Sequence, residues 1–315
     1  VTTTEQVRRP RRRFLAVFAV ALTLLGAYTA LWVWGAGVMR DEIDAWIAAE
    51  RRAGRTVSHG DIRVRGFPGT LRAVIDAPSW AEPGAWSWQA ERLLVITLPY
   101  DPRRLILAPR GEQSVTYLEE RFALRADDLR VGLEEDLLAI ETSGLSAEGR
   151  TGTLALASGR ANWVRNEDGS AVLGLATEKM ELRSETGTVY LPYVNAALSE
   201  AAGRRDLLTV DAFSLAAAPG REVKPALVAG DGSLILQTNG YPEGRVNLRL
   251  RNPVPLMMVL GNLGVVPAGQ AQDTGRLLAG LAGGENDELA LPLIAKDGAL
   301  RIGPVPVGRL PRLAY

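Results

Sequence analysis

Side chains able to do chemistry are few and scattered along the chain. His59 is the single histidine, set in the polar link 56–61. An imidazole can move a proton or hold a metal, but cysteine is absent and no second histidine exists to complete a ligand set. A Ser-His-Asp arrangement would have to use His59 and a sharp Gly-x-Ser-x-Gly turn, and that turn sequence does not occur. Asp127-Asp128 and Glu134-Glu135-Asp136 form the densest acidic cluster. Two carboxylates at a suitable gap can run glycoside hydrolysis, and a larger set can bind calcium. The spaced Asp/Asn-Gly loop of a calcium site is missing, however, and neighbouring acids on a strand point to opposite faces, so a solvated turn is expected. Phosphate-cradling glycine loops are missing too. The expectation is therefore a protein with no catalytic, cofactor-binding or metal site, and not an enzyme.

Trp80, Trp86 and Trp88 crowd around Pro78, Pro83 and Gly84. Trp86 and Trp88 would share a strand face. Such rings bury much area while keeping an N–H for a polar partner. Core packing is the first reading, and a rim guarding a lipid groove or dipping into a leaflet is the second.

The element that positions everything else is the uncharged run 14–39, twenty-six residues long. As a helix it would measure roughly 39 Å against a hydrocarbon core of about 30 Å, so it crosses a bilayer with some tilt. Phe14, Leu22, Leu24 and Leu25 would face lipid, with Tyr28, Trp32 and Trp34 at the headgroup boundary. Arg8, Arg9, Arg11, Arg12 and Arg13 precede the run, whereas Arg40 is followed at once by Asp41 and Glu42. That bias keeps residues 1–13 cytoplasmic and sends the rest across the inner membrane to the periplasm. Gly35-Ala36-Gly37 is a tolerable signal-peptidase site, but a signal core spans only about 7–15 residues, which favours an uncleaved anchor.

Lys and Arg number 36 and Asp and Glu 36. Five of the bases sit before the anchor, so the exported part is acidic and nucleic acid is not an expected partner. Without cysteine it must hold itself by burial and ladder hydrogen bonds.

Beyond the anchor, Ile43, Trp46 and Ile47 continue a helical stripe to Gly54, giving a stalk over 40–54. The period then becomes two. Leu71, Ala73, Ile75 and Ala77 share one face, Leu94, Ile96, Leu98 and Tyr100 another, and Val246, Leu248 and Leu250 alternate with arginines and Asn247. Asp168-Gly169, Asp231-Gly232 and Asp297-Gly298 supply the positive φ of tight hairpins. Helices are expected over 190–203, 255–263 and 268–281. These divide the exported chain into a β-rich half, 55–203, ending in a helix, and a second half, 204–315, with two helices, the two halves being compatible with one continuous domain. Both faces are apolar at Leu93–Leu98 and Leu234–Leu236. Either a helix covers the second side, or the sheet bends around an apolar interior that could take acyl chains. The fold class is mainly β (α+β): a transmembrane helix followed by a long, curved antiparallel sheet with a few packed helices.

Val64-Arg65-Gly66-Phe67-Pro68, and the closing stretch from Leu289-Ala290-Leu291-Pro292-Leu293 through Asp297-Gly298 to Pro304, Pro306 and Pro311, resemble an uncharacterised family of N-terminally anchored periplasmic proteins of Gram-negative bacteria. That family is distantly similar to AsmA-like envelope proteins. The resemblance covers about 56–313 and implies a curved sheet, phospholipid movement and outer-membrane upkeep, with no catalytic residue attached. In physical terms Gly66 permits a bend, Phe67 plugs a core end, and Pro68 belongs at a strand terminus. The expected function is envelope lipid handling, with a phospholipid or other acyl-chain ligand in an apolar groove. An adaptor that docks another envelope component is the alternative.

Overall fold

The computed structural model describes residues 9–98, 101–117, 120–204, 206–281 and 288–310, with side chains except at 9–13 and 102. Tyr100, Pro311 and residues 1–8 of the basic tail lie outside the described residues.

One unbroken helix, α1 (Arg9–Arg52), joins the expected span and stalk, a rise of about 66 Å at 1.5 Å per residue. It ends where Gly54 takes φ 86°, the left-handed conformation that favours glycine after a helix. Its apolar stretch is long enough to cross a membrane, and the most apolar window is buried by nothing in the protein.

Among the described residues, the elements after α1 form one antiparallel sheet of 18 strands with two helices laid on it. The first strands are β1 (Thr56–Ser58), β2 (Ile62–Arg65), β3 (Leu71–Asp76), β4 (Ser79–Glu82) and β5 (Trp86–Leu98). β3 and β4 divide the length of β5 between them, and β1 edges β4. Next come β6 (Asp101–Tyr117), β7 (Glu120–Arg125), β8 (Asp128–Glu134) and β9 (Leu137–Gly149), with β7 and β8 sharing the lengths of β6 and β9 in the same way. From there the chain meanders through β10 (Gly152–Arg165), β11 (Ala171–Ser184), β12 (Gly187–Glu200), β13 (Leu207–Ala217), β14 (Ala226–Leu236) and β15 (Pro242–Arg251). Helices α2 (Pro253–Asn262) and α3 (Ala268–Leu281) follow, then β16 (Glu288–Lys296), β17 (Ala299–Ile302) and β18 (Val305–Arg309).

Two expectations about secondary structure fail. The helix over 190–203 is strand β12, paired along both edges with β11 and β13, so the first half does not end in a helix. Its alanine-rich stripe fits either period, and ladder pairing on both sides decides for strand. Asp231-Gly232 is no turn but lies inside β14, with Gly232 opposite Val246. A Cβ at Gly232 would strike the Arg245 carbonyl, so the glycine permits close backbone approach. By contrast Asp168-Gly169 caps the β10–β11 hairpin. Asp297-Gly298 turns β16 into β17 with φ of 50° and 75°, the pair of positive values a type I′ turn requires.

The apolar stripes gather into two large cores. The first packs Met39 and Ile47 of α1 on Val57, Ile62, Leu71, Ala73, Ile75 and Val95. The second packs Met257, Ala271 and Leu278 of α2 and α3 on Val228, Val246, Leu248, Leu250 and Leu289. A helix thus covers the inner face of β5, including Leu93 and Val95, while Leu94 and Ile96 stay half-buried on the other side.

Candidate functional site

The ladders place one residue from each of twelve strands in a single transverse row. Ala73, Val95, Leu107, Val131, Ile140, Ala161, Leu175, Ala196, Phe213, Gly230, Leu248 and Leu291 are successive directly opposed partners. Directly opposed residues project from the same face, so one face of the sheet is apolar from β3 to β16. A second row, Leu133, Leu138, Trp163, Leu173, Leu198 and Val210, runs beside it.

Cover on this face is uneven. At the near end α1 lies on β1, β2 and β3, and at the far end α2 and α3 lie on β12, β13, β14, β16 and β18. Between them Val131, Leu133, Leu138, Ile140 and Trp163 are only half-buried, and Leu173 and Leu175 are 37% and 39% exposed. The result is an apolar band floored by β8–β11, with a helix-covered core at each end.

A crease runs alongside the band. Gly144, Ala157, Lys179 and Pro192 stand in line and drop out of the pairing in β9, β10, β11 and β12. Gly144 and Lys179 take φ of 57° and 50°. Below the crease the inward residues become Leu154, Leu156, Met180 and Leu182, and Leu182 packs with Val189 against Val259 of α2. Pro192 has no N–H to lose there, which is why the strand tolerates it.

The β2–β3 connection, 66–70, lies against α1. Phe67 sets its ring 5.6 Å from Trp32, edge-on, and 6.3 Å from Tyr28. Tyr28 donates its hydroxyl to the Pro68 carbonyl, and the Trp32 indole donates to Thr70 O at 3.4 Å. Gly66 has φ 115°, and a Cβ there would collide with the Thr70 carbonyl. Phe67 does not plug a core: it is 47% exposed. Phe14, Leu22, Leu24, Leu25 and Trp34 remain exposed along the helix.

At the other end of α1 the tryptophans form a clasp. Trp80 stacks edge-on between Trp46 (5.7 Å) and Trp86 (4.7 Å) and donates its indole N–H to Glu50 at 3.0 Å. Trp88 donates to Gln113 Oε1 at 3.2 Å. Glu50 lies 22 residues beyond Tyr28, about 33 Å along the helix axis, so the clasp is far from the hairpin tip.

With this geometry stands a family match: residues 32–222 and 222–311 match the family described as "Uncharacterized protein conserved in bacteria (DUF2125)". The chain belongs to the DUF2125 family. No curated protein and no solved structure matches it.

In this DUF2125 protein the acids of the cluster are dispersed. Asp128 pairs with Arg110 and Arg130, each at 2.8 Å, and Glu134 with Arg104 at 2.7 Å at the opposite end of β8. His59 donates Nδ1–H to its neighbour's carbonyl at 2.8 Å. Among the described residues no three His, Cys, Asp or Glu side chains group to hold a metal. Among the described residues the buried charge is Glu181, whose side chain is 6% exposed. Arg221 and Arg183 bond it at 2.7 and 2.5 Å, and together they hold its carboxyl below the ordinary value of 4.5 against the opposing effect of burial. Arg221 also lies 5.5 Å over the Tyr190 ring, which ties the loop 218–225 to β11 and β12. Sequence reasoning missed Glu181 and the transverse rows, because neither follows from neighbours in sequence.

Proposed function

We propose that this is a non-enzymatic protein held in the inner membrane by α1, with residues 1–13 cytoplasmic and the sheet periplasmic. It handles envelope lipid by laying acyl chains on the apolar band. The observation that carries this reading is the uncovered stretch over β8–β11, half-buried and apolar between two helix-covered cores. Each methylene laid on such a surface gains up to about 0.8 kcal/mol, so a single acyl chain has ample driving force. The positive-inside bias supports the orientation. Retention of the anchor is supported by Ala36 and Met39 packing into the first core.

A photo-crosslinking amino acid at Leu175, in the full chain in native membranes, tests the idea. Phospholipid adducts are expected at Leu175 and not at Ala176, which points to the opposite face. No adduct at Leu175, or equal labelling at both, ends it. The adaptor reading draws on Leu277 and Leu281, 65% and 50% exposed on α3. A crosslinker at Leu277 that captures one discrete protein would favour it.

A further inference from the structure

The arithmetic of α1 places the hairpin tip below the water line. Counting from Phe14, where the uninterrupted uncharged run begins, about 30 Å of hydrocarbon is crossed after some 20 residues, near Val33. Tyr28 and Trp32, which hold the tip, stand only ~21 and ~27 Å along that path. Tilting the helix, or sliding it so that the bilayer begins later, sets them deeper still. Gly35, whose Cβ position would lie 3.2 Å from Leu71 at the start of β3, comes at ~31 Å. The sheet therefore begins where the hydrocarbon ends, and 66–70 reaches beyond it.

Composition agrees with that depth. Phe67 offers an exposed ring flanked by proline and glycine, with no charge from Gly66 to Thr70. Just behind the tip Arg65 and Arg72 are directly opposed across the ladder. Higher on the same strands the basic Arg63 finds Asp76, as does Arg92 on β5, whereas Arg65 and Arg72 have no acidic partner among the described residues. Like charges set opposite each other weaken a hairpin in water; beside lipid phosphates the same pair is attracted, since each guanidinium can fork onto phosphate oxygens.

From the geometry we infer that the β2–β3 tip is seated in the far leaflet of the bilayer that α1 crosses, with Phe67 among acyl chains and Arg65 and Arg72 at the phosphates. This rests on the anchor reading. It also puts the near end of the apolar band at the leaflet surface, where a lipid could pass from bilayer to sheet.

The chain has no cysteine, so single nitroxide labels can be placed without background. Full-length Leu22→Cys, Gly69→Cys and Ala85→Cys are labelled and reconstituted in phosphatidylethanolamine/phosphatidylglycerol vesicles, and collision with oxygen is compared with collision with a water-soluble nickel chelate. Gly69 tolerates the change, since its added Cβ meets nothing closer than 3.9 Å. The label at 69 should match that at 22 in favouring oxygen, while the label at 85, on the β4–β5 turn, favours nickel. A water-like signal at 69 with a lipid-like one at 22 overturns the inference and leaves the anchor standing; water-like signals at both remove the two together. Arg65→Glu with Arg72→Glu should shift the signal at 69 toward nickel, and lysine at both positions should restore it. An unchanged depth in the glutamate variant refutes the role given to the arginines.

Discussion

Trp80 offers the sharpest test of how α1 is fixed to the sheet. Truncating a fully buried tryptophan to alanine costs about 3–5 kcal/mol. Trp80 is half-buried, between Trp46 and Trp86, so Trp80→Ala should cost near the lower end, ~3 kcal/mol. Trp80→Phe keeps most of the ring and loses only the N–H to Glu50. Because Glu50 still holds Arg55 at 3.0 Å, that variant should cost about 1 kcal/mol. Hydrogen exchange of the full chain in detergent, read by mass spectrometry, separates the two cores, which share no residue. A loss of ~3 kcal/mol speeds exchange by opening roughly a hundredfold. The acceleration belongs to β1–β5 and the end of α1, while β13–β16, α2 and α3 keep their rates. Equal acceleration in both halves, or a phenylalanine variant as damaged as the alanine one, would refute the argument.

Met257→Ala is the mirror experiment: this side chain is fully buried beneath α3, and its loss should cost ~2–5 kcal/mol and open the far core alone in the same exchange map. Glu181 sets an acid limit. Its folded pKa is depressed, so its contribution is complete above 4.5 and is lost as pH falls through the lower folded value. The thermal midpoint of the native chain should therefore drop on acidification below 4.5, and Glu181→Gln should flatten that drop while lowering the midpoint at neutral pH. Gly66→Ala places a side chain at φ 115° against a carbonyl; a cost of at least about 1 kcal/mol should appear as lost exchange protection in 62–73, with the far core unaffected.

How much of this was legible follows the range of each interaction. The long apolar helix needed only the length of an uncharged run, and α3 was found with its boundaries because Gly264 and Pro267 punctuate the chain beside it. Alternation revealed β15, where Arg245, Asn247, Arg249 and Arg251 face water at every second position. It failed at β12, where small alanines suit either period and Pro192 belongs to a crease made by four strands together. Asp231-Gly232 misled for a related reason: the same dipeptide that turns a hairpin also lets two backbones approach. Within the candidate site, the tip residues 66–68 stood out in sequence, but their partner Tyr28 is 40 residues away from Pro68. Nothing local announces that contact.

Because α1 passes from Arg9 to Arg52 without a break and is gripped at both Tyr28 and Glu50, sheet and helix turn as one piece. Among the described residues no flexible tether separates the helix from the folded portion. On the proposed anchoring, whatever meets this protein comes to a fixed height and heading above the bilayer, and any rocking of the helix in its lipid collar swings the opposite end of the sheet through a proportionate arc.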